Sequence, residues 1–397
     1  MKTRTFNWVG VSSGLIVLLG LTFGAAMVAK SPALPRLVDT VRGVIGPQPV
    51  AFTENTVYGL IDAYNRAFRK QPAPGYWTPT APVEPTPAPV RPAGAVLPAP
   101  NATRTPIVTP TRAPVFPPHD LPPLYPNLAA PGEGVWLPIP NAFDPASPLM
   151  YKTFLHPDST RPYARVAIVA MDLTRLRLHA VAGTAEPAFT AKVTRTGLIP
   201  AADRFALVAA FNGGWRTMHG HFGMMVRGQT ILPPQTGADT IAIYPDGRVR
   251  IAPWTQLATT WGQMESFRQT PSYLLYHGQL NPALADEQRI SWGASVSGKT
   301  VIWRSALGIS ADGRTLFYAA GESLTARTIA EALRAVGANN AAELDVNWSF
   351  ERFLIYAPAT GNFTEQVLLD KMIYQPGMYV FRPAARDFFY VTRASGR

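Results

Sequence analysis

The sequence predicts an α+β fold: one strand-rich globular domain with a mixed sheet and few helices, behind a transmembrane helix and a proline-rich stalk. Three observations predict it. Short apolar runs recur around Asp246-Gly247 and Asp312-Gly313, dipeptides that favour tight hairpin turns. A single segment near Ala326 has clear helical period with a cap at each end. Of 40 prolines, 21 lie between Gln71 and Pro140, which leaves one well-patterned region large enough for a sizeable core.

The boundaries follow from composition. Residues 1–30 read as an N-terminal transmembrane anchor, because Lys2 and Arg4 precede an uncharged run from Phe6 to Ala29. Such a run can cross a hydrocarbon core of about 30 Å. Positive charge before it predicts a cytoplasmic N-terminus, a single pass through the cell membrane and an extracytoplasmic globular domain. Gly24-Ala25-Ala26 would instead suit cleavage of a signal peptide, although the apolar run is longer than a usual signal core.

Residues 31–70 read as short amphipathic helical segments. From Thr53 to Arg69, Leu60, Ile61, Tyr64 and Phe68 share a helical face, fit either for a membrane or partner or for a small collar. Residues 71–140, rich in Pro, Thr and Ala, favour an extended linker. Residues 141–397 form the globular domain.

Within it, Arg165 to Met171 and Arg175 to Ala182 predict paired strands, followed by Phe205 to Phe211. Thr240 to Ile251 and Leu307 to Ala319 predict hairpins, and Tyr273 to Gly278 a strand and turn. A helix is predicted from Ala326 to Val336, capped by Thr325, ended by Gly337, with Ile329, Leu333 and Val336 buried. Ala341 to Leu344 reads as a buried strand, and Met378 to Phe381 with Phe388 to Val391 as a final strand pair.

Composition narrows the chemistry. There are no cysteines, which excludes disulfides and thiolate chemistry and suits a bacterial envelope. The net charge of +11 is spread without a basic run or aromatic-interleaved stripe, so nucleic acid is not an expected partner. A mildly basic exported face would attract anionic polymers or lipid headgroups. The oligomeric state is left open.

The strand ending at Phe211 runs into Asn212-Gly213-Gly214, where an amide and two glycines meet at a strand mouth, a place where sites are built. An ordinary Asn-Gly turn is the alternative. Asp345 follows a buried strand, and Glu343, two residues earlier, points to the same face of an extended chain. Arg304 offers a guanidinium that suits either phosphate or a structural ion pair. His219-Gly220-His221 would present two imidazoles to one side of a strand, but no third ligand follows, so no metal is expected.

Three segments occur in order: Asn212-Gly213-Gly214, then Arg304-Ser305-Ala306-Leu307-Gly308, then Leu344-Asp345-Val346-Asn347-Trp348-Ser349. Together they resemble the phosphodiester glycosidase family, over roughly Pro162 to Phe381. The family pattern has Asp-Gly-Gly-Gly-Ser where this chain has Asp345-Val346-Asn347-Trp348-Ser349, and an aromatic pair where it has Trp215-Arg216. The resemblance implies hydrolysis of a sugar–phosphate linkage without a cofactor.

In that reading Asp345, Arg304 and Glu343 are catalytic, with Asp345 the carboxylate facing the sugar and Arg304 the phosphate clamp. Asn212, Gly213, Gly214, His219, His221, Asn347, Trp348 and Ser349 bind substrate, Trp348 by stacking on a sugar ring. The expected partner is a carbohydrate or sugar-phosphate of envelope glycans. A non-catalytic carbohydrate- or phosphate-binding module on a stalk, and a purely structural surface protein, remain the other expectations.

Overall fold

The structure, a computed structural model, describes residues 40–41, 44, 47–77, 116–189, 195–285, 300–346, 348–359 and 362–394. The expected membrane-spanning run at Phe6–Ala29 lies outside them, and no helix among the described residues is long and apolar enough to cross a membrane.

Among the described residues, eighteen strands build three sheets. The first has eight strands, in the order β1 (Leu137–Ile139), β2 (Met150–Leu155), β3 (Val166–Asp172), β14 (Thr315–Leu324), β13 (Ile302–Ser310), β15 (Ala338–Glu343), β11 (Tyr273–Tyr276) and β12 (Gln279–Leu280). The second runs β17 (Asn362–Val367), β16 (Phe353–Ala359), β5 (Leu207–Asn212), β18 (Phe388–Arg393) and β4 (Leu176–Val181). The third runs β7 (Gln229–Leu232), β6 (Met224–Val226), β10 (Ser266–Thr270), β8 (Asp239–Ile243) and β9 (Val249–Pro253).

The strand-rich plan with few helices is as the sequence predicts. Every ladder between these strands is antiparallel. Among the described residues, parallel pairing occurs at one isolated bridge, Met378 with Arg382, so little of the expected mixed character is present.

Alternation of side chains sets the layers. Along β14, Leu316, Tyr318 and Ala320 enter a central core, and Phe317 and Ala319 enter a second one beneath the helix α2 (Ala326–Ala335). Phe389 and Val391 of β18 and Ile241 and Ile243 of β8 enter that same central core. One face of each sheet therefore walls a shared interior. At Thr325 the helix carries a capping box, its hydroxyl accepting from the Thr328 N–H at 3.1 Å while the Thr328 hydroxyl accepts in return.

Two sequence expectations change. Met378 to Phe381 is a tight turn, not a strand: Gly377 has φ +79° and its carbonyl accepts from the N–H groups of both Phe381 and Arg382. Residues 116–140, read as stalk, pack on the head, with Trp136 and Ile139 buried in its cores. The other end of the proline-rich segment also docks, Ala73 O lying 3.1 Å from His156 Nε2, while residues 78–115 lie outside the described residues.

The amphipathic segment forms α1 (Pro47–Phe68), which starts before Thr53 because prolines are tolerated in a first helical turn. Asp62 holds it to the head through two bonds from Arg161, at 2.8 Å each, and one from the Tyr163 hydroxyl at 2.7 Å. Leu60, Tyr64 and Phe68, predicted on one face, are exposed together.

Candidate functional site

Strand β5 is buried along its whole length and brings Asn212 to the point where the second sheet meets the first. The Asn212 amide is taken up by the protein. Its Nδ2 donates to Ser305 Oγ at 2.9 Å and to the Gly213 carbonyl at 3.1 Å. Its Oδ1 accepts from the Tyr318 hydroxyl at 2.9 Å and from the Arg352 N–H at 3.3 Å. Ser305 lies on β13 and Tyr318 on β14, so one amide staples the two sheets.

Ser305 carries the link onward. Its hydroxyl donates to the Asp345 carbonyl and accepts from the Asp345 N–H, both at 3.1 Å. Two of the three separated segments thus share one hydroxyl group. The Asp345 side chain is nearly buried, with Oδ1 accepting from the Val346 N–H at 2.8 Å and Oδ2 paired to Arg386 Nη2 at 2.5 Å. Burial pushes its carboxyl above the ordinary range, the Arg386 charge opposes that, and the nearby Asp387 adds to it.

The glycine pair serves this network. Gly213 N–H donates to the Asp387 carbonyl and Gly214 N–H to Asp387 Oδ2, both at 3.0 Å. A β-carbon on Gly213 would sit 2.1 Å from Asp387 Oδ2, so the close approach these glycines permit is that of Asp387. Asp387 in turn forms a buried ion pair with Arg268, Nε to Oδ2 at 2.8 Å. Arg386 Nη2 donates to the Gly214 carbonyl at 2.8 Å, and its guanidinium lies 4.3 Å from the centre of the Phe350 ring.

Arg304 is elsewhere. It precedes Ser305 on β13, and successive side chains of a strand point to opposite faces. Its Nη1 pairs with Glu343 Oε1 at 2.5 Å, both side chains having no exposed surface, and its Nε and Nη2 donate to the Leu324 and Thr300 carbonyls. The expected clamp therefore stands in the structural ion pair that was its alternative reading. Glu343 Oε2 has no hydrogen-bond partner among the described residues, and burial pushes this carboxyl up to about 7 despite Arg304.

The histidines do not lie on a strand. His219 ends a short 3₁₀ turn, Thr217–His219, half-buried with its ring 6.2 Å from that of Trp215, whereas His221 is exposed at φ +53°. The alternation argument for them does not apply. Among the described residues no group of three His, Cys, Asp or Glu side chains could hold a metal ion. Trp348 and Ser349 are half-buried in a turn, the Ser349 carbonyl accepting from Arg352 Nη2 at 2.7 Å, and Asn347 lies outside the described residues.

Residues 205–345 match the phosphodiester glycosidase family. No curated protein matches the sequence. Solved structures similar to it in part include the following two. One is the zebrafish N-acetylglucosamine-1-phosphodiester alpha-N-acetylglucosaminidase catalytic domain auto-inhibited by its pro-peptide: 12% identity, 63% of this chain and 85% of that chain covered, TM-score 0.40. The other is a hypothetical protein from Synechocystis: 11% identity, 62% of each chain covered, TM-score 0.39.

The family segment holds Asn212, Ser305 and Asp345, the three residues joined at the shared hydroxyl. Arg386 and Asp387 lie beyond it, as does Arg352, and the sequence reading missed them together with Arg268, Ser305 and Tyr318. Ser305 was legible in principle, standing one residue from Arg304 with the opposite strand parity. No spacing in the sequence marks Arg386, which the pairing of β18 with β5 sets beside the Gly213-Gly214 turn.

Proposed function

We propose that the chain is a hydrolase that cleaves the bond between a sugar and a phosphodiester, held outside the membrane by an N-terminal anchor. One observation carries this reading: Asn212 and Asp345, far apart in the family segment, are fixed at the single Ser305 hydroxyl, with Arg386 on the acid. An acid and a guanidinium are the two groups that the reaction needs.

The division of labour follows from charge. A phosphodiester carries negative charge that a guanidinium can meet with two parallel N–H donors. Departure of the phosphate leaves positive charge on the sugar ring, which a carboxylate stabilises. Phosphate binding at Arg386 would draw that guanidinium from Asp345 and leave the acid to face the sugar carbon. Water then adds at that carbon, the carbon–oxygen bond to phosphate breaks, and a phosphate monoester leaves. Ser305 and Asn212 hold the acid's backbone throughout, as positioning residues. Membrane display rests on Lys2, Arg4 and the uncharged run behind them, and an envelope glycan is the substrate that this placement offers.

A second reading, a binding module without turnover, draws on the engagement of both Asp345 oxygens and all the Asn212 amide groups by protein. Incubating the full chain with a sugar 1-phosphodiester separates the two. Release of reducing sugar together with phosphate monoester, lost in Arg386→Gln, supports the hydrolase. Thermal stabilisation by the diester with no product supports the binder and contradicts the hydrolase.

A further inference from the structure

At the far end of β18 from Asp387 lies a cleft of about 710 Å³ that the proposed reaction does not use. The turn between β3 and β4, the segment from Asn141 to Leu149 and the last residues of β18 form its walls, and Phe143, Asp144, Ser147, Arg175, Arg177 and Arg393 are among the lining residues. Its volume falls in the range of small-molecule sites.

The three guanidinium groups differ in what they already hold. Arg175 is neutralised: its Nε meets Asp172 at 2.7 Å, and its Nη1 and Nη2 donate to Ser147 Oγ and the Pro148 carbonyl. Arg177 donates from Nη1 to the Leu173 and Leu176 carbonyls and, among the described residues, has no acid partner within ion-pair distance. Arg393 lies flat on Phe143, its guanidinium carbon 3.8 Å from the ring centre. The Arg393 Nε is buried and has no hydrogen-bond partner among the described residues.

A water-excluded N–H on a permanently charged group is costly to leave unmatched. The planar guanidinium forks of the arginines that line the cleft suit anions that take two donors at once. Asp144 is the carboxylate on the wall, against two guanidiniums that no acid among the described residues neutralises, so the cleft favours an anion.

We infer that this cleft is an accessory site for a phosphate group, bound between Arg393 and Arg177. The choice of phosphate over carboxylate rests on the hydrolase reading; the anion site itself does not. From Asp387 to Arg393 is six residues of extended strand, a span of roughly 20 Å. A polymer with repeated phosphodiesters is long enough to occupy both ends, so the cleft would hold the chain while one linkage reacts.

The test is equilibrium binding, which needs no turnover. The full chain is titrated with polyglycerol phosphate and, separately, with inorganic phosphate, each at low and at physiological salt. Binding of the polymer is expected to weaken about tenfold in Arg393→Gln and in Arg177→Gln, and to tighten in Asp144→Asn. Melting temperature is monitored so that a misfolded variant is recognised, Arg177→Gln serving if Arg393→Gln fails to fold. Equal dependence of inorganic phosphate on both arginines would support the site with free phosphate as its occupant. Polymer affinity unchanged in both arginine variants would overturn it.

Discussion

Asp345 Oδ2 meets Arg386 Nη2 at 2.5 Å, where the end of the eight-stranded sheet faces the start of β18. The Gly214 carbonyl accepts from the same Arg386 nitrogen, so the acid, the guanidinium and the glycine turn are mutually fixed. The site is therefore a junction between sheets, and its chemistry depends on the contacts that hold them together.

Asn212→Ala removes the staple. The Arg352 N–H loses its acceptor, Tyr318 keeps only the Arg352 carbonyl at 3.4 Å, and Ser305 loses one of its two donors, all of them buried. Unpaired buried groups of this kind cost about 1–3 kcal/mol each. Denaturant unfolding should show a loss of at least that size, with a folded but less active protein remaining.

Gly213→Ala puts a methyl group against Asp387 Oδ2 and the Asp387 backbone, which cannot both yield. The expected loss is about 1–3 kcal/mol, the usual range for overpacking. Gly313, with open space around its β-carbon but φ +71°, should lose only the cost of a left-handed turn. Chemical denaturation of the two variants side by side checks the difference.

Arg304→Ala leaves Glu343 as a buried acid without its partner, a change that typically destabilises by about 3–5 kcal/mol. Replacing both residues with apolar side chains of similar volume should restore most of that. Recovery of turnover in the folded double variant would confirm Arg304 as structural, since a phosphate clamp could not be replaced in this way.

Stability should also report on Glu343. Its carboxyl is raised to about 7 from an ordinary 4.5, so the native state favours the neutral form. The contribution is complete below about 4.5 and is lost as pH climbs through about 7. Glu343→Gln, which keeps an acceptor for Arg304, should flatten the fall in melting temperature across that window.

Much of the fold was legible because it is written in local pattern. The Asp246-Gly247 and Asp312-Gly313 turns fix their hairpins, and Thr325 and Gly337 bracket the one strongly periodic helix of the head. The Asn212 and Asp345 junction was legible through resemblance. Arg386 was not, because its role is set by β18 pairing beside β5, a contact with no trace in spacing. Arg304 misled for a local reason: the motif carries an arginine and a serine on opposite strand faces, and the serine reaches the site. The turn at Gly377 departs from the strand that the aromatic and β-branched residues of Met378 to Phe381 predict, because the Gly377 carbonyl folds them back.

The most direct test is the initial rate of hydrolysis of a chromogenic sugar 1-phosphodiester by the full chain and by Asp345→Asn, with unfolding curves for both. The account predicts turnover by the native protein and a fall of about 10²–10³-fold in the variant, the usual weight of one preorganised electrostatic group, with folding preserved. Equal rates in the two proteins would contradict it, as would no turnover in either.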